Sequence, residues 1–265
     1  MIQPVGQPDL FIIGLGVIIP EHVTRQASQA LSKCRRIYSI VQEPPHLWLP
    51  ADSFAQTEVV NALGFYREGE LRANNYKRAA LAITEAIGGG RPLGYVTYGN
   101  PTSYDRVAQE LVEHGKKRGF TVEIVPGISS VDTILCDLMI DMAPGIQVFE
   151  ASWLFTCQIS PIPTIPVLLI QVGTFGSLCT HYSQRPDGAS LTELVDFLLR
   201  FYPQNHPVSL VHSSGRAGHC GKIRTVTLGA LCSVTAEDLG GASLYIPPVE
   251  YPQPVEHLLT RMTRH

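Results

Sequence analysis

Leu10–Gly16 reads LFIIGLG, a short apolar run closed by two glycines one residue apart. A buried parallel strand has this pattern, apolar without alternation because both of its faces are covered. The Gly14-Leu15-Gly16 turn leads to Pro20, suited to a first helical turn, and to a helix-like stretch over Glu21–Lys33. The same succession recurs downstream. Arg36–Val41 reads as a strand closed by Pro44-Pro45, and Glu70–Ile87 as a helix stopped by Gly88-Gly89-Gly90. Leu93–Tyr98 reads as a strand and Tyr104–Lys117 as a helix with Val107, Ala108, Leu111 and Val112 on one face. Thr121–Val125 is a strand, followed by Pro126-Gly127 and a helix from Ser129 to about Leu138. Repeated strand-turn-helix units predict a parallel sheet with helices on both faces.

The second half differs. Gln147–Glu150 and Val167–Val172 read as strands with no helix between them, only the Pro-rich stretch Ser160–Pro166. Ser190–Tyr202 reads as a helix, with Ser190 and Glu193 as a capping box and Leu191, Leu194, Val195, Leu198 and Phe201 as its buried stripe. Val208–His212, Arg224–Thr227 and Ser243–Ile246 complete a strand-rich half. The expected fold class is α/β in two lobes. Residues 1–140 form an N-terminal α/β lobe with a mainly parallel sheet, and residues 141–265 a C-terminal mixed α/β lobe.

Composition bounds the function. Of 265 residues, 45% are hydrophobic and 16% charged, enough apolar material for a packed core and too little charge for a disordered chain. A net charge of −3 supplies no basic field, so nucleic acid is not expected as a main partner. The longest apolar run, Leu10–Ile19, carries two glycines, stops at Pro20 and follows Asp9. It is too short to span a bilayer and is not a signal peptide, so no membrane association and a cytoplasmic location are expected. The six cysteines (Cys34, Cys136, Cys157, Cys179, Cys220 and Cys232) are scattered without a C-x-x-C pair, and are expected to be reduced and mostly buried. His212 and His219 lack a third ligand type nearby, so no metal is expected.

Parallel sheets bind ligands at the carboxyl ends of their strands, which directs attention to three turns. Gly14-Leu15-Gly16 lacks the third glycine of a dinucleotide fingerprint, and no acidic residue follows a second strand at the right distance. Close strand-helix packing accounts for these glycines equally well. Tyr98-Gly99-Asn100-Pro101 and Pro126-Gly127-Ile128-Ser129-Ser130 each follow a strand, and each is built of ordinary turn residues. Together they would present backbone N–H and C=O groups to a shared crevice suited to an adenosine-bearing ligand, with Ser129 capping the next helix. A fourth feature is helical: Arg72 and Tyr76 stand at i and i+4, with Tyr66 a turn or two earlier. A surface Arg stacked on a Tyr is one account. The other is a guanidinium that stabilises a phenolate or an oxyanion, since a permanent cation favours the ionised phenol.

In this order, a G-x-G turn, a YG-x-P turn and PG-[IV]-S-S resemble the S-adenosylmethionine-dependent tetrapyrrole methylase superfamily. The resemblance is nearer to the borosin peptide α-N-methyltransferases, through Tyr66, Arg72, Tyr76, Tyr98–Pro101, Pro126–Ser129, Phe149–Ser152, Gln171–Gly173, His206–Val208 and Gly240–Pro248. It implies a two-lobed fold with S-adenosylmethionine in the inter-lobe cleft of an intertwined homodimer. It also implies a separate precursor peptide as substrate, with a heterotetramer of enzyme and peptide as one form of the assembly. Carried onto this chain, it implicates Tyr66, Arg72, Tyr76 and Tyr98 in catalysis. It places the cofactor against Tyr98, Asn100, Ser103, Ser130, Gln171, Ser213, Ser243 and Leu244. Borosin enzymes usually carry His and Gly where this chain has Asn100 and Thr102, and an aromatic where it has Leu63. Thr102 removes glycine's backbone freedom, so a differently shaped turn is expected. The porphyrin enzymes' proline after the first G-x-G is Val17 here.

The chain continues for only a short helix-like stretch, Val255–Met262, after Pro248. The resemblance therefore implies an acceptor supplied in trans, as in split systems. Two alternatives remain: a methyltransferase for a tetrapyrrole or other small molecule, and a non-catalytic S-adenosylmethionine-binding scaffold.

Overall fold

The computed structural model describes residues 6–88, 92–180, 191–215 and 218–262. They fall into two compact units. One comprises Met1–Met139, Ser177–Gln184 and Ser213–Gly221, and the other Ile140–Gly176, Arg185–His212 and Lys222–His265.

The first unit is built on a parallel sheet of β1 (Leu10–Gly14), β2 (Arg36–Ser39), β3 (Glu58–Asn61), β4 (Leu93–Thr97) and β5 (Val122–Val125), in the order β3-β2-β4-β1-β5. Successive side chains of β1 divide between its faces. Leu10 and Ile12 pack with Leu93 and Tyr95 beneath α2 (Arg72–Glu85) and α3 (Arg106–Arg118). Phe11 and Ile13 pack with Ile37 and Val96 against α1 (Arg25–Leu31). Helices on both faces explain why β1 and β4 are buried along their whole length. The edge strand β3 is absent from the sequence reading, because four residues with polar ends carry too little pattern.

Helix boundaries follow their caps. The first helix starts four residues later than expected, where the Thr24 hydroxyl accepts from the Ala27 N–H at 3.0 Å; the preceding residues turn through His22 N–H to Ile18 O and Val23 N–H to Pro20 O. The third starts at Arg106, after Asp105 caps Ala108, and ends at left-handed Gly119. α4 (Ser130–Leu138) carries the expected Ser129 cap, extended to a full capping box by Asp132. Gly89 and Gly90, expected to stop the second helix, lie outside the described residues; it ends at Glu85.

The second unit has a mixed sheet of β6 (Gln147–Glu150), β7 (Val167–Ile170), β8 (Pro207–His212), β9 (Lys222–Thr227) and β10 (Ser243–Ile246), ordered β6-β7-β10-β8-β9. Only β6 and β7 run parallel; the remaining pairs are antiparallel. Contrary to the sequence reading, a helix does lie between β6 and β7: α5 (Ala151–Thr156). Glu150 caps it, its carboxylate accepting from Ser152 N–H at 3.0 Å and Trp153 N–H at 2.6 Å. Six residues are too few for a helical period to be read.

The next helix, α6 (Thr192–Leu198), is shorter than the expected 190–202. Its N-cap is Leu191, which makes no side-chain cap, and Ser190 of the anticipated capping box lies outside the described residues. The stripe of Leu191, Leu194, Val195 and Leu198 is buried in the core, with Phe201 packed against it. α7 (Ala236–Leu239) and α8 (Glu256–Met262) follow.

All six cysteines are free thiols, but only Cys34 is buried; Cys136, Cys157 and Cys220 are exposed. The expectation of mostly buried thiols is thus corrected: Cys136 is on the exposed side of the helix Ser130–Leu138, Cys157 lies just past the helix Ala151–Thr156, and Cys220 lies in the irregular segment before β9. Among the described residues no metal-binding cluster occurs, and no helix is long and apolar enough to cross a membrane.

Candidate active site

The three turns singled out in the sequence meet at the carboxyl ends of β1, β4 and β5. β4 and β5 are not neighbours; β1 lies between them. Gly16 N–H donates to Gly99 O at 3.2 Å, and Gly99 N–H donates to Gly16 O at 2.8 Å. A Cβ on Gly14 would stand 2.4 Å from Gly99 O and 2.9 Å from Gly127 N, and one on Gly127 would stand 2.3 Å from Gly99 O. The glycines are therefore required by contact of turn backbone on turn backbone, rather than by strand-helix packing. Gly16 does meet the following segment, but at a turn residue: its Cβ would lie 2.2 Å from that of His22.

His22 also decides what the first turn can hold. Its Nδ1 accepts from Val17 N–H at 3.3 Å and Ile18 N–H at 3.2 Å. These two amides, which follow the glycine turn, are therefore already satisfied by the imidazole. Asn100 closes the second turn on itself, its Oδ1 accepting from Thr102 N–H at 3.0 Å and Thr102 hydroxyl at 2.9 Å. The left-handed positions are Gly99 and Tyr104, so Thr102 does not stand where glycine would be needed. Neutral hydrogen-bonding side chains at Asn100, Ser103 and Ser130 remain around this convergence. That donor set fits a nucleoside bearing an amino acid and has no place prepared for a phosphate.

Tyr98, at the end of β4, is committed to its own protein. Its hydroxyl donates to Glu43 Oε2 at 2.5 Å and accepts from Gln42 N–H at 2.8 Å. Burial, followed by the hydrogen bond to Glu43, pushes its phenol up to about 12. Tyr98 is thus held as a neutral phenol. Glu43 went unread in the sequence, although an acidic residue just beyond the end of β2 was a signal. Its backbone carbonyl accepts from Trp48 Nε1–H at 3.0 Å, which anchors the segment.

Tyr66 and Tyr76 come together, with ring centroids 5.8 Å apart and planes at 66°, an edge-to-face contact. The expectation that Tyr66 shares the helix with Arg72 and Tyr76 is corrected: it caps a separate 3-10 turn, Ala62–Phe65, while Arg72 opens α2. The Arg67–Leu71 segment diverts the chain between them. Among the described residues the half-buried Arg72 guanidinium takes no hydrogen bond or ion pair. Both tyrosines pack against the core cluster that contains buried Tyr95. The Tyr95 hydroxyl donates to Asp105 Oδ2 at 3.0 Å, and burial, then the Asp105 charge, drives its phenol well above the usual range. Burial likewise raises the Asp105 carboxyl, against the pull of the Ala108 N–H and the neighbouring hydroxyls.

Ser213 joins the first unit through Asp137 on α4. The Ser213 hydroxyl donates to Asp137 Oδ2 at 3.0 Å, and Gly221 N–H donates to Oδ1 at 3.2 Å. The partner, Asp137, was missed because nothing local marks it. The remaining expected cofactor residues belong to the second unit. Gln171 is exposed one position past β7, in a left-handed conformation with φ 59° rather than in a strand. Ser243 and Leu244 are buried in β10; Ser243 pairs with Val211, and Leu244 stands between Leu169 and Leu210. Only the backbone of Leu244, not its core-packed side chain, remains for a ligand.

Comparison with known proteins extends this picture. Residues 9–232 match the family model described as Tetrapyrrole (Corrin/Porphyrin) Methylases. A methyltransferase/cyclic peptide dendrothelin A precursor of Dendrothele bispora is 26% identical over 247 residues, covering 90% of this chain and 57% of the relative. The omphalotin A methyltransferase/precursor of Omphalotus olearius is 26% identical over 204 residues, covering 75% and 47%. This chain spans about half the length of these relatives. The uroporphyrin-III-C-methyltransferase of Thermus thermophilus superposes with a TM-score of 0.57 at 20% identity, covering 91% of this chain and 93% of that one. At that identity the likeness speaks for the fold alone.

Proposed function

The chain belongs to the tetrapyrrole methylase family, a family of methyltransferases, and on that premise we propose that it methylates backbone amide nitrogens of a ribosomally made precursor peptide supplied as a separate chain. The edge-to-face Tyr66–Tyr76 pair, with Arg72 one turn before Tyr76 on α2, carries this reading. An amide nitrogen is a poor nucleophile because its lone pair is delocalised into the carbonyl. Its proton must be removed and the resulting imidate-like oxygen stabilised. Tyr76 is the assigned base, with Arg72 one turn away to stabilise its phenolate. Tyr66 passes on the proton or donates to the oxyanion. The neutral Tyr98, fixed by Glu43, orients the amide.

Bound S-adenosylmethionine would supply an electrophilic methyl carbon on a sulfonium. This chain's part would be to hold the amide nitrogen toward that carbon and to take the amide proton on the Tyr76 oxygen. Asn100, Ser103, Ser130 and Ser213 in the first unit, and Gln171, Ser243 and Leu244 in the second, are assigned to hold the cofactor. The relatives whose names join a methyltransferase to a peptide precursor support the peptide acceptor. A homodimer is part of the same proposal.

The test is to incubate the purified protein with S-adenosylmethionine and a precursor peptide encoded beside it, and to locate one-methyl mass steps by tandem mass spectrometry. Methyl groups on backbone nitrogens are expected. Transfer to a tetrapyrrole and not to peptide would overturn the reading, and so would cofactor binding without transfer to either. Full activity in Arg72→Ala and Tyr76→Phe would overturn the assigned roles.

A further inference from the structure

The loop carrying Tyr66 is suspended from α2 by bonds on both sides of that residue. Asn75 is fully buried, one position before Tyr76, and uses all of its amide. Its Oδ1 accepts from Arg67 N–H at 2.9 Å and from Arg78 Nη1–H at 2.6 Å. Its Nδ2 donates to Arg67 O and to the Thr180 hydroxyl, both at 2.9 Å. One turn along, Arg78 Nη1 donates to Phe65 O at 3.2 Å while Nη2 pairs with Glu70. Arg78 beside it holds the Glu70 carboxyl below the usual carboxylate range.

The backbone is therefore gripped at Phe65 and at Arg67, immediately before and after Tyr66. A second segment is tied to the same place. Gly69 N–H donates to Thr180 O at 2.8 Å, Thr180 N–H donates to Glu70 O at 2.9 Å, and Arg72 N–H donates to Leu178 O at 2.8 Å.

We propose that Asn75, with Arg78, is a positioning residue that sets the Tyr66 ring against Tyr76, and that Thr180 closes this clamp from the 177–180 segment. The loop is exposed at Arg67–Gly69, and fixing its backbone opposes conformational entropy, which these bonds on both sides of Tyr66 offset. A carboxamide is suited to the task because it grips an N–H and a C=O of the same residue. Asp in its place would lose both donors, and Leu would remove the partners of Arg67 N–H and C=O altogether. The catalytic consequence rests on the peptide methylation reading; the geometric one does not.

The experiment uses the intact protein labelled with 3-fluorotyrosine. The Tyr66 and Tyr76 fluorine resonances are assigned from Tyr66→Phe and Tyr76→Phe. Asn75→Ala risks failing to fold, so the informative variants are Thr180→Val, which removes one acceptor, and Arg78→Met, which removes the fork. Both are expected to shift the Tyr66 and Tyr76 resonances. Both should also lower kcat for the peptide on the order of 10- to 100-fold, the range expected of small misplacements near the chemistry. Calorimetric affinity for S-adenosylmethionine should be unchanged, and Arg78→Lys, which keeps the ion pair alone, should recover part of kcat. Wild-type resonances in both variants would overturn the proposal, as would a lowered melting temperature with kcat intact. If the wild type methylates no peptide, the functional reading fails, while the fluorine shifts still decide the clamp.

Discussion

The Tyr98 hydroxyl donates a 2.5 Å hydrogen bond to Glu43 Oε2, across 55 positions of chain, so the end of β4 is tied to the segment that follows β2. Because Gln42 N–H donates to the same oxygen, the phenol has already given its proton and one lone pair to the protein. What remains for a ligand is the ring and a single lone pair.

Replacing Glu43 by Gln therefore removes a charge that favours the neutral phenol. The Tyr98 phenol, pushed up to about 12 by burial and then by Glu43, is expected to titrate lower but still above the ordinary value, because burial is the larger cause. Difference ultraviolet titration of Glu43→Gln against Tyr98→Phe reads this directly. An unmoved inflection would refute the coupling.

Alkaline pH should unfold the protein over a defined window. Tyr98, Tyr202 and Tyr245 are each raised from 10.0 to about 12, mainly by burial. The folded state holds these protons more tightly, so their contribution is intact below the unfolded value. As pH rises the unfolded chain ionises first, and stability falls until the folded groups titrate as well. Urea midpoints should hold steady up to about pH 9.5 and decline from there to about pH 12. A flat profile across that window would contradict it.

Gly127→Ala drives a Cβ to 2.3 Å from Gly99 O and 2.8 Å from Gly14 backbone, and none of these atoms is the end of a flexible side chain. A loss of about 1–3 kcal/mol or more is expected, together with weakened cofactor binding. Gly215→Ala meets nothing within 4 Å, has no positive φ, and should stay within about 0.5 kcal/mol of wild type. Equal effects in chemical denaturation would mean that the turns do not pack as described.

Tyr202 is buried, and its hydroxyl has no hydrogen-bond partner among the described residues. A desolvated, unpaired hydroxyl costs about 1–3 kcal/mol, so Tyr202→Phe should leave stability unchanged or increase it. A clear drop in melting temperature would show a partner for that oxygen.

Asp137→Ala releases Ser213 and Gly221, both of which donate to its carboxylate. Hydrogen bonds to a charged group contribute about 1.5–3 kcal/mol, and their loss should appear locally. Amide exchange at Gly221 should accelerate while the protection of β1 and β4 is unchanged. Uniform loss of protection would assign Asp137 to global stability instead.

The alternation of apolar runs, glycine-ended turns and amphipathic helices was legible because burial on a sheet or helix leaves a period in the residues themselves. That period failed where elements were short. β3 and α5 have four and six residues, too few to show one, and they are held by pairing with β2 and by the Glu150 carboxylate. The contents of the candidate site were legible where a turn or helix placed residues near each other in the chain, as with Tyr98 and Asn100 or Arg72 and Tyr76. Glu43, Asn75 and Asp137 were not, because their partners are remote or their neighbours unremarkable.

The sequence by itself determined the layering of strand and helix, the three glycine turns and the residue types they carry, since these follow from local sterics and burial. Tertiary structure alone decided that Gly14, Gly99 and Gly127 touch, that His22 fills the first turn's amides, that Tyr98 is a spent donor, and that Tyr66 meets Tyr76 from outside its helix. Those facts depend on which remote backbone groups lie within 3 Å or so of one another, and hydrogen-bond geometry at that scale leaves no trace in residue order.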